Sequence, residues 1–346
     1  IIQTHGLGNF KTLVKEIGKS SSMLKYLNGF ENTKDKPNEN YARELFELFT
    51  LGVNNGYNQK DVENTARALT GYNKCEKDHS PIEFDPKTFD KSNKTIFGRT
   101  GNWDHDDVID LLFEKRKKKI AHFIAAKFYR YFISPNEDAN IIYHLSKTLI
   151  KKNWEMAPML EQLLSSGHFF DNATMGSIIK SPFDLFGSFI NETSFIYSSS
   201  ELDVIDYVDY ITKTLGQELL NPIGVEGWQG DRAWVDGSTI GARWQGMGRI
   251  ATDMYNFRDD PFVDFAKTLT KNSKDPNKIT RVIVDYFLCK PLDNKDAYET
   301  AVDVFKGGVP DNYYINKIWT LEWNTSAYQV LQLIRHIIRM PEFQLK

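Results

Sequence analysis

NENYARELFELFTLGVNNGYNQKDVENTARALTG, residues 38–71, decides the fold. Its apolar spacing, its stops and its polar residues together specify a helical hairpin. Asn38 can cap the first helix and Gly52 can supply a left-handed C-terminal stop, while Asn58 and Gly71 take the same roles for the second. Leu45, Leu48 and Phe49 make the expected buried stripe of the first helix. At about 100° per residue, Asn40, Arg43, Glu44, Glu47 and Thr50 then share roughly a third of the circumference. That is a dense polar face.

Outward from the hairpin, apolar residues recur at helical spacing along most of the chain. Helices are expected over residues 10–17, 106–113, 120–132, 139–151 and 158–164, and again over 203–215, 238–255, 261–269, 279–288, 297–305 and 326–339. Lys180-Ser181-Pro182 marks a further start, because proline suits a first helical turn, and the segment after it runs apolar through Phe195. Two stretches break the pattern. Residues 72–103 are rich in Pro, Asp, Lys, Asn and Gly with isolated apolar residues, and read as a long loop holding one two-stranded ribbon. Residues 221–237, NPIGVEGWQGDRAWVDG, hold four glycines, a proline and two tryptophans, which excludes an ordinary helix. The expected fold class is mostly α: a bundle-like single domain over residues 1–346, allowing a subdivision near residue 180.

Composition narrows the function classes. Lys+Arg 43 against Asp+Glu 46 gives a net charge of -3, which supplies no long-range attraction for nucleic acid. The basic run at residues 115–119 lacks interleaved aromatics and reads as a solvated connection between helices. A mean hydropathy of -0.46 and the lack of any membrane-spanning apolar run describe a water-soluble protein with no transmembrane segment. Cys75 and Cys289 exclude a disulfide framework and a cysteine-rich zinc site, though they leave room for one disulfide. The chain opens Ile1-Ile2-Gln3-Thr4-His5, with neither an initiator Met nor a leader, and is expected to be a fragment or a processed chain.

Three constellations could carry chemistry. On the hairpin, Glu44 and Glu47 share one side of a helix, as a proton-transfer pair requires, with Arg43 and Arg67 to stabilise an anion and Asn40 to bind substrate. The competing reading is a set of i,i+4 surface ion pairs, Arg43 with Glu47 and Glu63 with Arg67. No Glu-x-x-His run accompanies the acids, so these residues alone are not expected to hold a metal. In the glycine-rich loop, Trp228 and Trp234 with Asp231 and Asp236 would suit a glycan, since sugars present apolar faces edged by hydroxyls; alternatively the indoles plug the loop onto a core. Trp244 and Arg232 belong to the same group. In the third, Asp104-His105-Asp106-Asp107 opens a helix, where Asp104 or Asp106 serves most simply as N-cap. The sequence leaves any cofactor unidentified.

These motifs resemble a bacterial family catalogued as domain of unknown function 1800. Its pattern includes Asn-Glu-Asn-Tyr-Ala-Arg-Glu-Leu, Glu-Leu-Phe-Thr-Leu-Gly and Ala-Arg-Ala-Leu-Thr-Gly, matched here at residues 38–45, 47–52 and 66–71. Similarity extends to Gly6-Leu7-Gly8-Asn9-Phe10, Gly98 with Gly101 and Asn102, Lys180-Ser181-Pro182, Gly227-Trp228 with Trp234, and Pro341-Glu342-Phe343-Gln344. The resemblance implies that this chain covers the C-terminal two thirds or so of the family. Members usually carry an upstream Trp-His-x-His-Phe stretch. A metal site joining those histidines to Glu44 or Glu47 would keep only its carboxylate half here. Where members often have His-Asp, this chain has Phe89-Asp90. Members are often exported, and their genes commonly neighbour a family resembling sulfatases, which implies a periplasmic or secreted protein of the cell envelope.

The expectation is therefore an envelope protein with a polar cleft lined by the hairpin face and covered by the tryptophan loop, acting as a hydrolase on a glycan or other extracellular polymer. Its rivals are a non-catalytic binding or scaffold protein whose partner is another envelope protein, and a metalloprotein completed by the upstream region.

Overall fold

The computed structural model describes residues 1–75, 81–193 and 195–346. Residues 76–80, inside the expected 72–103 loop, and Ser194, inside the apolar segment ending at Phe195, lie outside the described residues. Helix accounts for 58% of the chain, so the mostly α class holds. The chain divides into two compact units, Ile1–Phe169 and Phe170–Lys346.

In the first unit the hairpin forms, but only its second helix is capped as expected: the first starts at Asn40 with Glu39 as N-cap and no side-chain cap, and Asn38 Oδ1 accepts from the Asn40 N–H at 3.0 Å instead. Asn58 and Asp61 make a reciprocal capping box at the start of the Gln59–Ala68 helix, and Gly52 and Gly71 adopt φ of 95° and 101° at the two C-terminal stops. The first helix departs from expectation. It opens as α over Asn40–Glu44 and continues as π over Leu45–Thr50. A π turn holds more residues than an α turn, so the buried stripe shifts. Phe46 and Leu51 join Leu45 in the core, Leu48 and Phe49 are only half-buried, and Thr50 leaves the polar face to donate to the Leu45 carbonyl inside. Each fully buried Leu or Phe here contributes about 1.5–3 kcal/mol.

The Gln59–Ala68 helix packs against the Lys94–Ile96 strand and the His105–Lys115 helix, and the π segment against the Lys117–Phe132 helix. In place of one ribbon there are two antiparallel ones among the described residues. Tyr72–Lys74 pairs with Glu83–Phe84, and Lys94–Ile96 with Arg99–Gly101. The second turns at Phe97 and Gly98, both with positive φ (49° and 76°), the signature of a tight hairpin turn. A phenylalanine there is costly, but Phe97 is held by burial, by Phe46 at 5.3 Å between ring centroids and by the Arg116 guanidinium over its ring.

The second unit is built around the Ser326–Ile337 helix, which packs against Lys295–Lys306, Thr239–Phe257, Asp260–Thr270 and Pro276–Phe287. Its buried Gln329 accepts from Trp319 Nε1 (3.0 Å) and donates to the Phe305 carbonyl (2.9 Å) and the Tyr314 hydroxyl (2.8 Å), so this central helix carries a satisfied polar anchor. Residues 221–237 are irregular apart from a 3-10 turn over Asp231–Trp234. No helix of the described residues is long and apolar enough to cross a membrane. No disulfide joins Cys75 to Cys289 among the described residues; both are exposed.

Candidate functional site

The candidate residues fall into two groups, each described within its own unit. In the first unit the hairpin face forms a network that closes on itself. Arg43 pairs with Glu39 at 2.9 Å and with Glu47 at 3.6 Å, and donates to Gln59 Oε1 at 3.0 Å. Gln59 in turn donates to Glu39 (2.9 Å), and the Tyr57 hydroxyl donates to Glu47 (2.8 Å). Burial, chiefly, pushes the Tyr57 hydroxyl above its ordinary pKa. Glu44 and Glu47 are both half-buried. Asn40 uses its amide to donate to the Leu27 carbonyl at 3.1 Å, a tie to the preceding segment.

Arg67 belongs to a second network on the same hairpin. Its Nε donates to Asp90 at 2.8 Å, its Nη1 to Asn64 at 2.9 Å, and its Nη2 to Ser92 and the Asn93 carbonyl. Burial alone would raise the Asp90 carboxyl, but hydrogen bonds from Ser92 and then Arg67 outweigh it and leave the group below its ordinary range. Behind Asp90 lies Lys94, only 1% exposed. Its ammonium donates to the Asp90 carbonyl, to Asn102 Oδ1 (3.1 Å) and to the Trp103 carbonyl (3.1 Å), and lies over the Phe89 ring. The expected i,i+4 partner of Arg67, Glu63, is thus replaced by Asp90, which sequence spacing does not reveal. Lys94 has one legible signal, its place two residues from Ile96 on the inward face of a strand.

Asp104 is the N-cap of the His105–Lys115 helix, in a capping box with Asp107. His105 is buried, its Nδ1 3.2 Å from Asp106 and its Nε2 without a hydrogen-bond partner among the described residues. The Tyr41 and Tyr72 rings flank it, at 6.4 and 5.9 Å between centroids. The hydrogen bond with His105, then the contact with Lys19, hold the Asp106 carboxyl well below the usual range against the effect of burial. Because the folded carboxyl is the more acidic, its contribution is fully present above the unfolded value of about 3.9 and is lost as pH falls below it. An Asp106→Asn variant is therefore expected to show a flatter dependence of stability on pH below about 4 than the wild type. Denaturant unfolding across pH 2–6 checks this, and equal slopes would remove Asp106 as a contributor.

In the second unit Trp234 is 8% exposed and anchors the loop, whereas Trp228 and Trp244 are half-buried, each with an indole N–H shielded from solvent and without a partner among the described residues. Asp231 has a φ of 48°, a left-handed conformation that Asp tolerates. The charged groups of Asp231 and Arg232 form no hydrogen bond or ion pair among the described residues. Asp236 is committed instead. It accepts from the backbone and hydroxyl groups of Ser238 and Thr239 ahead of the Thr239–Phe257 helix, and these bonds lower its carboxyl to about 2. A carboxyl so acidic is poorly suited to act as a general acid.

Elsewhere in this unit a depression of about 660 Å³ is lined by Lys274, Asp275, Lys306, Asp311 and Lys317, among others, and by none of the residues singled out from sequence. No group of three or more His, Cys, Asp or Glu able to hold a metal occurs among the described residues. Comparison with curated proteins and with solved structures returned no match. The model of one family, described as "Protein of unknown function (DUF1800)", matches residues 1–345. That span is essentially the whole chain, which corrects the expectation that the chain represents the C-terminal two thirds or so of the family. On this match the chain belongs to the DUF1800 family.

Proposed function

We propose that the protein binds a glycan at the cell envelope through the loop at residues 221–237. The observation that carries the reading is unspent hydrogen-bonding capacity in and just after this loop: the indole N–H groups of Trp228 and of Trp244, on the following helix, have no partner among the described residues, and the charged groups of Asp231 and Arg232 make no ion pair there. Aromatic surfaces edged by free donors and acceptors match a sugar's apolar face and its hydroxyl rim. The envelope location rests on the family resemblance.

A hydrolytic role has one observation in its favour. Glu47 lies in a π segment, and such segments recur at functional sites. Against it, Glu47 and Arg43 already satisfy each other within the hairpin.

A panel of neutral and acidic oligosaccharides, titrated against tryptophan fluorescence, tests the binding. Trp228→Ala is expected to weaken the best ligand about tenfold or more, a loss of about 1.4 kcal/mol. Failure of every oligosaccharide to bind, or undiminished binding by the variant, would sink the proposal. The same mixtures assayed for new reducing ends test hydrolysis, which Glu47→Gln should abolish if Glu47 is the acid or base.

A further inference from the structure

Two sequence motifs left unexplained by the hairpin and the tryptophan loop meet in the second unit. Lys180, of Lys180-Ser181-Pro182, donates its backbone N–H to the Gln344 carbonyl at 2.8 Å, and its ammonium lies 4.5 Å above the ring of Phe343. Gln344 and Phe343 belong to the closing Pro341–Gln344 turn. Arg243, near the start of the Thr239–Phe257 helix, completes the junction. Its Nε donates to Gln344 Oε1 at 2.8 Å and its Nη2 to the Lys180 carbonyl at 2.8 Å.

The electrostatics of this junction are unbalanced. Arg243 is 0% exposed and Lys180 8% exposed, yet neither makes an ion pair among the described residues. The acceptors they do reach are neutral. Asp184, the nearby acid on the following helix, is committed to Lys346 and to the Ser181 N–H, and Glu192 on that helix is exposed and does not pair with either cation. Arg243 Nη1 is buried without a hydrogen-bond partner among the described residues. Asp184 acts on both cations and Glu192 on Lys180 only from beyond ion-pair distance. Two adjacent cations taken out of water with no acid in direct contact are expensive, and a guanidinium held by Nε and Nη2 has its remaining fork donor fixed in direction.

We infer that Lys180 and Arg243 form a binding site for a small oxyanion, a phosphate or sulfate group, with Arg243 Nη1 and the Lys180 ammonium as its donors. Burial limits what enters to the charged group itself. That group is either a free ion or the terminus of a larger molecule. Gln344 orients the guanidinium, since its own amide is fixed by donation to the Ile338 carbonyl at 2.9 Å. The desolvation that lowers the Lys180 ammonium and lowers Arg243 to about 10 is what an anion would relieve. The inference stands independently of the glycan reading.

Calorimetric titration with inorganic sulfate, inorganic phosphate and glucose 1-phosphate, at constant ionic strength, tests it on the full chain. Saturable binding is expected, weakened about tenfold or more in Lys180→Met. Gln344→Glu, which supplies an internal counter-charge to Arg243, should weaken it similarly and serves if the first variant does not fold. Equal affinity for phosphate and glucose 1-phosphate assigns the site to the free ion, and tighter binding of the sugar phosphate to a charged terminus. No saturable binding of any probe, or undiminished binding in the folded variant, overturns the inference.

Discussion

Gly18→Ala is expected to destabilise the first unit by about 3 kcal/mol. Gly18 closes the Phe10–Gly18 helix, and its backbone conformation is open to any residue; what it lacks is space. A Cβ there would lie 2.1 Å from the Tyr41 hydroxyl oxygen and 2.5 Å from His105 Nε2. Neither neighbour can yield easily. Tyr41 is 4% exposed in the hairpin's first helix and His105 is 2% exposed at the start of another, so relief means moving one helix against the next. Gly167→Ala is the control, because a Cβ added there would meet nothing within 4 Å and its φ is not positive; it should fall within about 0.5 kcal/mol of the wild type. Denaturant unfolding of the three proteins measures the difference. Equal stabilities for Gly18→Ala and the control would mean that the three helices do not meet closely at this point.

The contrast between these glycines shows what local sequence can disclose. The stops at Gly52 and Gly71 and the cap at Asn58 are legible because each is decided by one residue's conformational freedom or by a side chain three residues from its acceptor. Helix positions are legible for the same reason, with ends displaced by up to three residues, as at Lys117 and Pro276. The face of the first hairpin helix is not fully legible, because a fixed angle per residue cannot register the π turn at Leu45–Thr50, and Thr50 therefore turns inward. The ribbon at residues 94–101 is hidden by Phe97, a residue whose left-handed conformation is imposed by its packing partners.

The candidate site is legible as a collection of residue types but not as a set of pairings. Arg67 finds Asp90 at a separation of 23 residues, and Arg243 finds Gln344 across 101. Such partnerships come from tertiary packing, which single-sequence periodicity does not encode. The hairpin illustrates the consequence: Glu47 and the two arginines, which read as parts of one acid–base site, are distributed over two networks, one around Arg43 and one around Arg67.

Lys94→Ala is expected to cost about 3–5 kcal/mol, because it combines a cavity with the loss of the ammonium's bonds to three part-buried acceptors. The ammonium now serves the Asp90 carbonyl, Asn102 Oδ1 and the Trp103 carbonyl, tying both strands of the second ribbon to the chain that precedes the His105–Lys115 helix. Lys94→Met separates the contributions. It keeps most of the volume and the contact with Phe89, so it should lose only the hydrogen bonds, about 1–3 kcal/mol. The larger consequence is electrostatic. Asp90 is held toward Arg67 by a backbone that Lys94 fixes, so loosening that backbone should let the Asp90 carboxyl rise toward its ordinary range, as followed by NMR titration. A Lys94→Met protein as stable as the wild type, with Asp90 titrating unchanged, would show that the ammonium is incidental. If instead stability falls and Asp90 shifts, then Arg67 owes its position to a buried cation behind it, and substitutions of Arg67 must be compared with Lys94→Met before any loss of function is assigned to chemistry at the guanidinium.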